Sequence, residues 1–194
     1  MPLRACLLAL SLLSLASPVF AQSVDQHAGQ FLYGLSTGAG RRTTSGTLSS
    51  SSLPLNVGQP PGGQTIGVLD LSGGVTLGRR IGVLAVFEQA SGAETSTGKW
   101  GTLAFHGVVR GWVAPRVWVE GGFGSFDLGY RPPGQSGNNG VTRLWAASPE
   151  AAAGVDIFRG AHVTIGVMGR YSTATFGDFR VSHFSIQVEL LGRQ

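Results

Sequence analysis

The sequence predicts an all-β chain whose eight antiparallel strands close, up and down, into a transmembrane β-barrel. Three observations lead there. Apolar and polar residues alternate with a period of two, and no segment sustains a 3.6-residue period. The chain has 31 glycines, many Val, Phe and Trp and almost no lysine, which leaves few helix formers. The segments between the alternating runs are by turns short and long, as in a barrel with tight turns at one end and loops at the other.

The first 21 residues stand apart. In MPLRACLLALSLLSLASPVFA, Arg4 precedes an apolar run from Ala5 to Ala16, and Val-Phe-Ala closes it at 19–21. This is the pattern of a secretory signal, with cleavage expected after Ala21. The run is too short for a transmembrane helix. The remaining 173 residues, 22–194, form the expected barrel domain. They contain no cysteine, since Cys6 is the only one, so disulfides do not hold this exported domain together. They carry 13 basic against 10 acidic residues, and the bases are scattered, which argues against a nucleic-acid partner.

Eight alternating segments follow, at about 28–39, 65–77, 81–92, 99–113, 117–130, 143–158, 162–173 and 179–191. Each is long enough to cross a bilayer, for which roughly 9–11 tilted residues suffice. The second, fourth and sixth end in tight turns, GRR (78–80), APR (114–116) and RGA (159–161). The others lead into longer connections at about 40–64, 93–98, 131–142 and 174–178, expected to be extracellular. The first of these is rich in Ser, Thr, Gly and Pro.

Turn length sets cross-strand register. A three-residue turn at 114–116 places Trp112 opposite Trp118 and Arg110 opposite Glu120, with Val109, Val113, Val117 and Val119 on the other face. The same count about 159–161 places Glu150 opposite Arg170, and about 78–80 it places Asp70 opposite Glu88. That like-charged pair asks for a cation, and His106 or Arg110 on the next strand is the expected source. The lumen charge network is thus Asp70, Glu88, His106, Arg110, Glu120, Glu150 and Arg170, joined on the inward face by Asp156, His183, Gln187 and Glu189. The outward face carries residues such as Phe31, Leu71, Phe87, Phe105, Phe123, Ile165 and Ile186. Asp127, Arg143 and Arg180 break this parity near the loop ends, where a lipid-facing charge costs little. Outward aromatics Tyr33, Phe123, Trp145 and Tyr171 are expected toward those same ends, as part of a girdle.

In this arrangement, with Gly-rich strands such as VWVEGGFGSFDLGY, the chain resembles the eight-stranded outer-membrane barrels of Gram-negative bacteria, the OmpA/OmpX-type and OmpW-like group. The resemblance covers residues 22–194. It implies an integral outer-membrane protein, monomeric and without catalytic activity, in contact with outer-membrane lipid and lipopolysaccharide and handled by the barrel-assembly machinery during biogenesis. Such proteins serve envelope integrity, adhesion or small-solute passage. The sequence departs from the group in ending ELLGRQ rather than in an aromatic residue.

Two other functions compete. His183-Phe-Ser185 resembles the His-x-Ser pair of the lipid A deacylases, which implies Ser185 as nucleophile and His183 as its base. That constellation needs an acid to orient the histidine. The only acid downstream, Glu189, lies too far along the same strand, and the pair points into the lumen rather than toward lipid. A secreted, soluble lipocalin-like carrier is the other alternative, with the apolar face turned inward. No cofactor and no metal are expected: His106 and His162 lack ligand-spaced partners, and the GAG at 38–40 is not followed by a helix. Arg41, Arg42, Lys99 and Arg131 are expected near the outer mouth, where arginine and lysine suit lipopolysaccharide phosphates.

Overall fold

The structure, a computed structural model, describes residues 29–47, 62–96, 98–134 and 142–194. The expected signal segment lies outside the described residues, as do the middles of the first and third long loops, 48–61 and 135–141. Eight strands follow one another: β1 (Phe31–Ser45), β2 (Gln64–Thr76), β3 (Ile81–Gly92), β4 (Lys99–Trp112), β5 (Val117–Arg131), β6 (Thr142–Arg159), β7 (Val163–Phe176) and β8 (Phe179–Arg193). Each pairs antiparallel with its neighbours in sequence, and β1 pairs with β8 from Leu32↔Arg193 to Ser45↔Arg180, closing the barrel. Closure leaves no sheet edge unpaired.

The turns explain where expectation and structure agree. Leu77 N–H donates to Ile81 O (2.9 Å) and Val113 N–H to Val117 O (3.0 Å), so residues 78–80 and 114–116 are the turns the spacing predicts. Asp70 accordingly faces Glu88, Arg110 faces Glu120 and Trp112 faces Trp118.

The third turn differs. Gly160 N–H donates to Val163 O (2.7 Å), leaving only Ala161 and His162 between the strands. A β-bulge between Asp156 and Phe158 then inserts an extra residue. Arg170 therefore faces Ala152, and Glu150 faces Ser172. The expected Glu150–Arg170 register is off by two residues, which preserves the face but not the partner.

Two connections are shorter than the sequence suggests. The expected 174–178 loop is a two-residue turn, with Phe176 paired to Phe179 and Gly177 at φ +62°, the positive φ that tight hairpin turns require. β1 runs on through Arg41–Ser45 where a loop is expected from residue 40. The Arg-Arg-Thr-Thr run reads as loop by composition, yet it pairs with both Gln64–Thr65 and Arg180–Phe184.

Along the strands, burial alternates residue by residue. The outer wall is apolar: Leu71, Phe87, Phe105, Val109, Phe123, Val167, Ile186 and Val188 are all exposed on it. Of the expected girdle, Trp145 lies near the loop end of the barrel, but Tyr33 pairs with Gly192 and Gly73 at the opposite, turn end, and Phe123 lies mid-strand.

The inner wall is layered. At the turn end Leu32, Leu84, Trp112, Trp118 and Leu191 pack together. At the loop end Trp100, Phe126, Leu128, Phe179 and Val181 form a second apolar layer. Asp70, Glu88, His106, Arg110, Glu120, Glu150, Arg170, His183 and Glu189, all buried, lie between them. Small residues make this possible in so narrow a lumen. A Cβ at inward-facing Gly154 would overlap the Trp118 indole, and one at Gly124 would meet the carbonyl oxygen of Phe105.

Candidate functional site

The central layer is held by two arginines. Arg110, on β4, donates from Nε to Glu120 Oε2 (2.8 Å) on the adjacent strand. Its two terminal nitrogens grip Glu189 on β8, at 3.0 and 2.7 Å, in the paired geometry that gives arginine–carboxylate contacts their direction. The same guanidinium lies 3.8 Å from the centroid of the Trp118 ring, so the indole covers the cation as well as sealing the turn end. Arg170, on β7, donates to Asp70 Oδ2 and to Glu120 Oε1, both at 2.9 Å. Glu120 thus gives one oxygen to each arginine. Ser36 extends the cluster, donating to Gln187 Oε1 (2.8 Å) and lying 3.3 Å from Asp70 Oδ2.

Two histidines complete the layer. His183 Nε2 accepts from Arg42 Nε (3.2 Å), and Nδ1 lies 3.2 Å from Glu88 Oε1. Arginine has no acceptor, so Nε2 must present its lone pair and the ring proton sits on Nδ1, donating to Glu88. His106 Nδ1 is 2.9 Å from Glu150 Oε2, close enough for an ion pair but not aligned as a hydrogen bond.

All seven residues of the expected network are buried. The structure brings together Asp70, Glu120, Arg110 and Arg170, and Glu150 joins them through a longer ion pair to Arg170 Nε (3.8 Å) while lying closest to His106. The Asp70–Glu88 pair is relieved from across the lumen, Asp70 by the Arg170 guanidinium and Glu88 by a hydrogen bond from the neutral His183 ring, rather than by His106 or Arg110 from the next strand. Counting along hairpins finds only neighbours, whereas the narrow lumen lets opposite walls touch.

Arg42 is the clearest displacement. It is expected at the outer mouth beside lipopolysaccharide, but it is fully buried, bonded to His183, to Gln64 Oε1 (3.2 Å) and to the Trp100 carbonyl (3.3 Å). Because β1 continues to Ser45, its even positions keep facing inward, from Leu32 and Ser36 to Arg42. Extending that period past residue 40 was the available signal. Arg41 is exposed on the outer wall, and Lys99 and Arg131 lie side by side there across β4–β5.

Ser185 and His183 are both inward and buried. Ser185 Oγ accepts from Gln187 Nε2 (2.9 Å), while His183 is held between Arg42 and Glu88. An acid does stand beside the histidine, from β3 rather than β8. The base nitrogen facing away from it, however, is occupied by Arg42, so this arrangement does not set His183 to take a proton from Ser185. Among the described residues no group of three or more His, Cys, Asp or Glu could hold a metal.

No family model and no curated protein matches the sequence. Solved structures do match. Neisserial surface protein A superposes with a TM-score of 0.60 at 9% identity, over 84% of this chain and 96% of that one. The fold is that of the eight-stranded outer-membrane barrels. Ail, the attachment invasion locus protein of Yersinia pestis, matches with a TM-score of 0.52 at 15% identity, over 84% and 99% of the two chains. OprG, an outer membrane protein from Pseudomonas aeruginosa, gives 0.51 at 11%, over 88% and 98%.

Proposed function

We propose that this protein is an integral outer-membrane barrel whose lumen is a plug and whose role is structural or surface-interactive, without catalysis. The observation that carries the reading is the contrast between its walls. The outer wall presents a continuous apolar surface far larger than water-exposed monomers usually tolerate, with Phe123 61% and Ile186 59% exposed. A soluble carrier would require the reverse. The inner wall encloses paired charges between two apolar layers, Leu32 to Leu191 at one end and Trp100 to Val181 at the other. Eight strands leave an interior only wide enough for such side chains.

The export signal expected at 1–21 is consistent with delivery to the outer membrane. The surface-interactive half of the reading draws on likeness. Ail, which shares the fold, is an attachment invasion locus protein and has been solved in complex with a heparin analogue, sucrose octasulfate. In this chain the two long loops, 46–63 and 132–141 between the strands, are the corresponding contact candidates.

Planar-bilayer recording tests the plug. The purified protein should insert without stable conductance steps. Steps in the wild type would overturn the closed lumen and favour solute passage.

A further inference from the structure

The outer wall carries one feature that its apolar character does not account for. At the loop end of β3–β6 there is a polar cleft of about 260 Å³, lined by Gln89, Ser91, Lys99, Leu103, Asp127, Arg131 and Arg143 among others. Register explains its shape. Three outward rows cross the sheet here. The outermost is Lys99↔Arg131. The next runs Ser91↔Gly101↔Gly129↔Arg143, and the third runs Gln89↔Leu103↔Asp127↔Trp145. The two glycines meet in the middle of the second row, so the floor is bare backbone while longer side chains rise around it. Below the third row the wall turns apolar, with Phe87 paired to Phe105.

The walls carry three cations and one carboxylate. Lys99 and Arg131 stand above the floor and Arg143 beside it. Asp127 Oδ2 accepts from Arg143 Nη1 (3.0 Å), which fixes that guanidinium and leaves two net positive charges. Two buried polar atoms in the lining have no hydrogen-bond partner among the described residues: Arg131 Nε, a donor, and Asp127 Oδ1, an acceptor. Buried polar groups seldom stay unsatisfied without a reason. A phosphate oxygen would satisfy the first and a headgroup hydroxyl the second.

We infer that this cleft binds the phosphorylated headgroup of a membrane lipid, with Lys99, Arg131 and Arg143 on the phosphate and the acyl chains lying along Leu103, Phe105 and Phe87. Arginine and lysine beside an apolar surface at membrane-interface height match both halves of such a molecule. The inference rests on the membrane reading above and adds the ligand class and its residues. It also separates Lys99 and Arg131 from Arg41 and Arg42, which are on other strands or inside the lumen.

Trp145 reports on the site. It is 64% exposed on the outer wall and pairs with Asp127, whereas Trp100, Trp112 and Trp118 are buried. The full chain is refolded into phosphatidylcholine vesicles containing a small fraction of brominated phosphatidic acid or, separately, of brominated phosphatidylcholine, and tryptophan quenching is measured. The expected result is an enrichment of phosphatidic acid around Trp145 of roughly thirtyfold, as for two positive charges beside an anion near a membrane surface. Lys99→Gln with Arg131→Gln should abolish it, and Lys99→Gln alone should reduce it without threatening folding. Arg180→Gln, an exposed base elsewhere on the loop end, should leave it unchanged. Equal quenching by the two lipids overturns the site, as does enrichment that survives the double substitution. Binding of inorganic phosphate by the refolded chain, with no enrichment of phosphatidic acid in its absence, overturns a lipid ligand in favour of a soluble anion. A chain that fails to enter the vesicles, shown by the absence of a cold-versus-boiled shift on SDS gels, overturns the membrane reading and this site with it.

Discussion

Arg110 and Arg143 each hold a carboxylate across neighbouring strands, yet the two pairs do different work. The Arg110–Glu120 pair is inside the barrel, with side chains 1% and 0% exposed, and the guanidinium also grips Glu189 and lies over Trp118. The Arg143–Asp127 pair is on the outer wall, and the Arg143 side chain is 46% exposed. Chemistry and distance are alike, at 2.8 and 3.0 Å. What differs is what replaces the interaction when it is lost. Solvent can re-solvate the half-exposed Arg143. Inside the barrel Glu189 would lose its basic partner and Glu120 would keep only Arg170.

Removing Arg110 is therefore the largest expected effect. Arg110→Met strands the buried Glu189 carboxylate, leaves Glu120 with Arg170 alone, and should destabilise the barrel by about 3–5 kcal/mol, read by urea titration in phospholipid vesicles. A loss under 1 kcal/mol would place the inner pair on the same footing as the outer one. Exchanging the charges, Arg110→Glu with Glu120→Arg, sharpens the point. Because Glu189 also faces position 110, the exchange should recover only part of what Arg110→Glu alone loses. Full recovery would mean that Glu189 contributes nothing.

A charge placed on the outer wall at mid-height tests the other side of the comparison. Val188 lies between inward Gln187 and Glu189 but points outward, 53% exposed. Val188→Lys should cost about 2–4 kcal/mol in a bilayer, because lipid at that depth cannot solvate an ammonium. In a water-exposed wall the cost would be near zero. Smaller again is the effect of packing within the inner layer. Gly154→Ala pushes a methyl group into the Trp118 indole and should cost about 1–3 kcal/mol in the same titration. The smallest effect is at the outer pair itself. Asp127→Asn should change stability by at most about 1 kcal/mol, less as salt is raised.

The strand pattern was legible because period two persists wherever one wall is apolar and exposed and the other lines a filled interior. Register was legible where a three-residue turn, such as Ala114–Arg116, leads into unbroken strands. It failed at β6–β7 because neither the bulge near Ile157 nor the two-residue turn at Ala161–His162 has a distinctive residue to mark it. Arg42 was misplaced because Arg-Arg-Thr-Thr has loop composition but keeps strand parity, and parity decides which wall a side chain joins. The pairs Arg170–Asp70 and His183–Glu88 span 100 and 95 residues. They depend on lumen diameter, which no local pattern encodes. Nor did alternation reveal the inner apolar layers: Leu84 and Val86 sit between outward Val83, Ala85 and Phe87, so that strand is apolar on both faces.

The central claim, that the apolar wall faces lipid around a closed and charged core, is tested most directly by electrophoretic heat-modifiability. The outer-membrane fraction of expressing cells is run on SDS gels with and without boiling. The account predicts a band that resists SDS when cold and migrates differently after boiling, confined to that fraction. A protein recovered in the soluble fraction, with no shift on boiling, would contradict it.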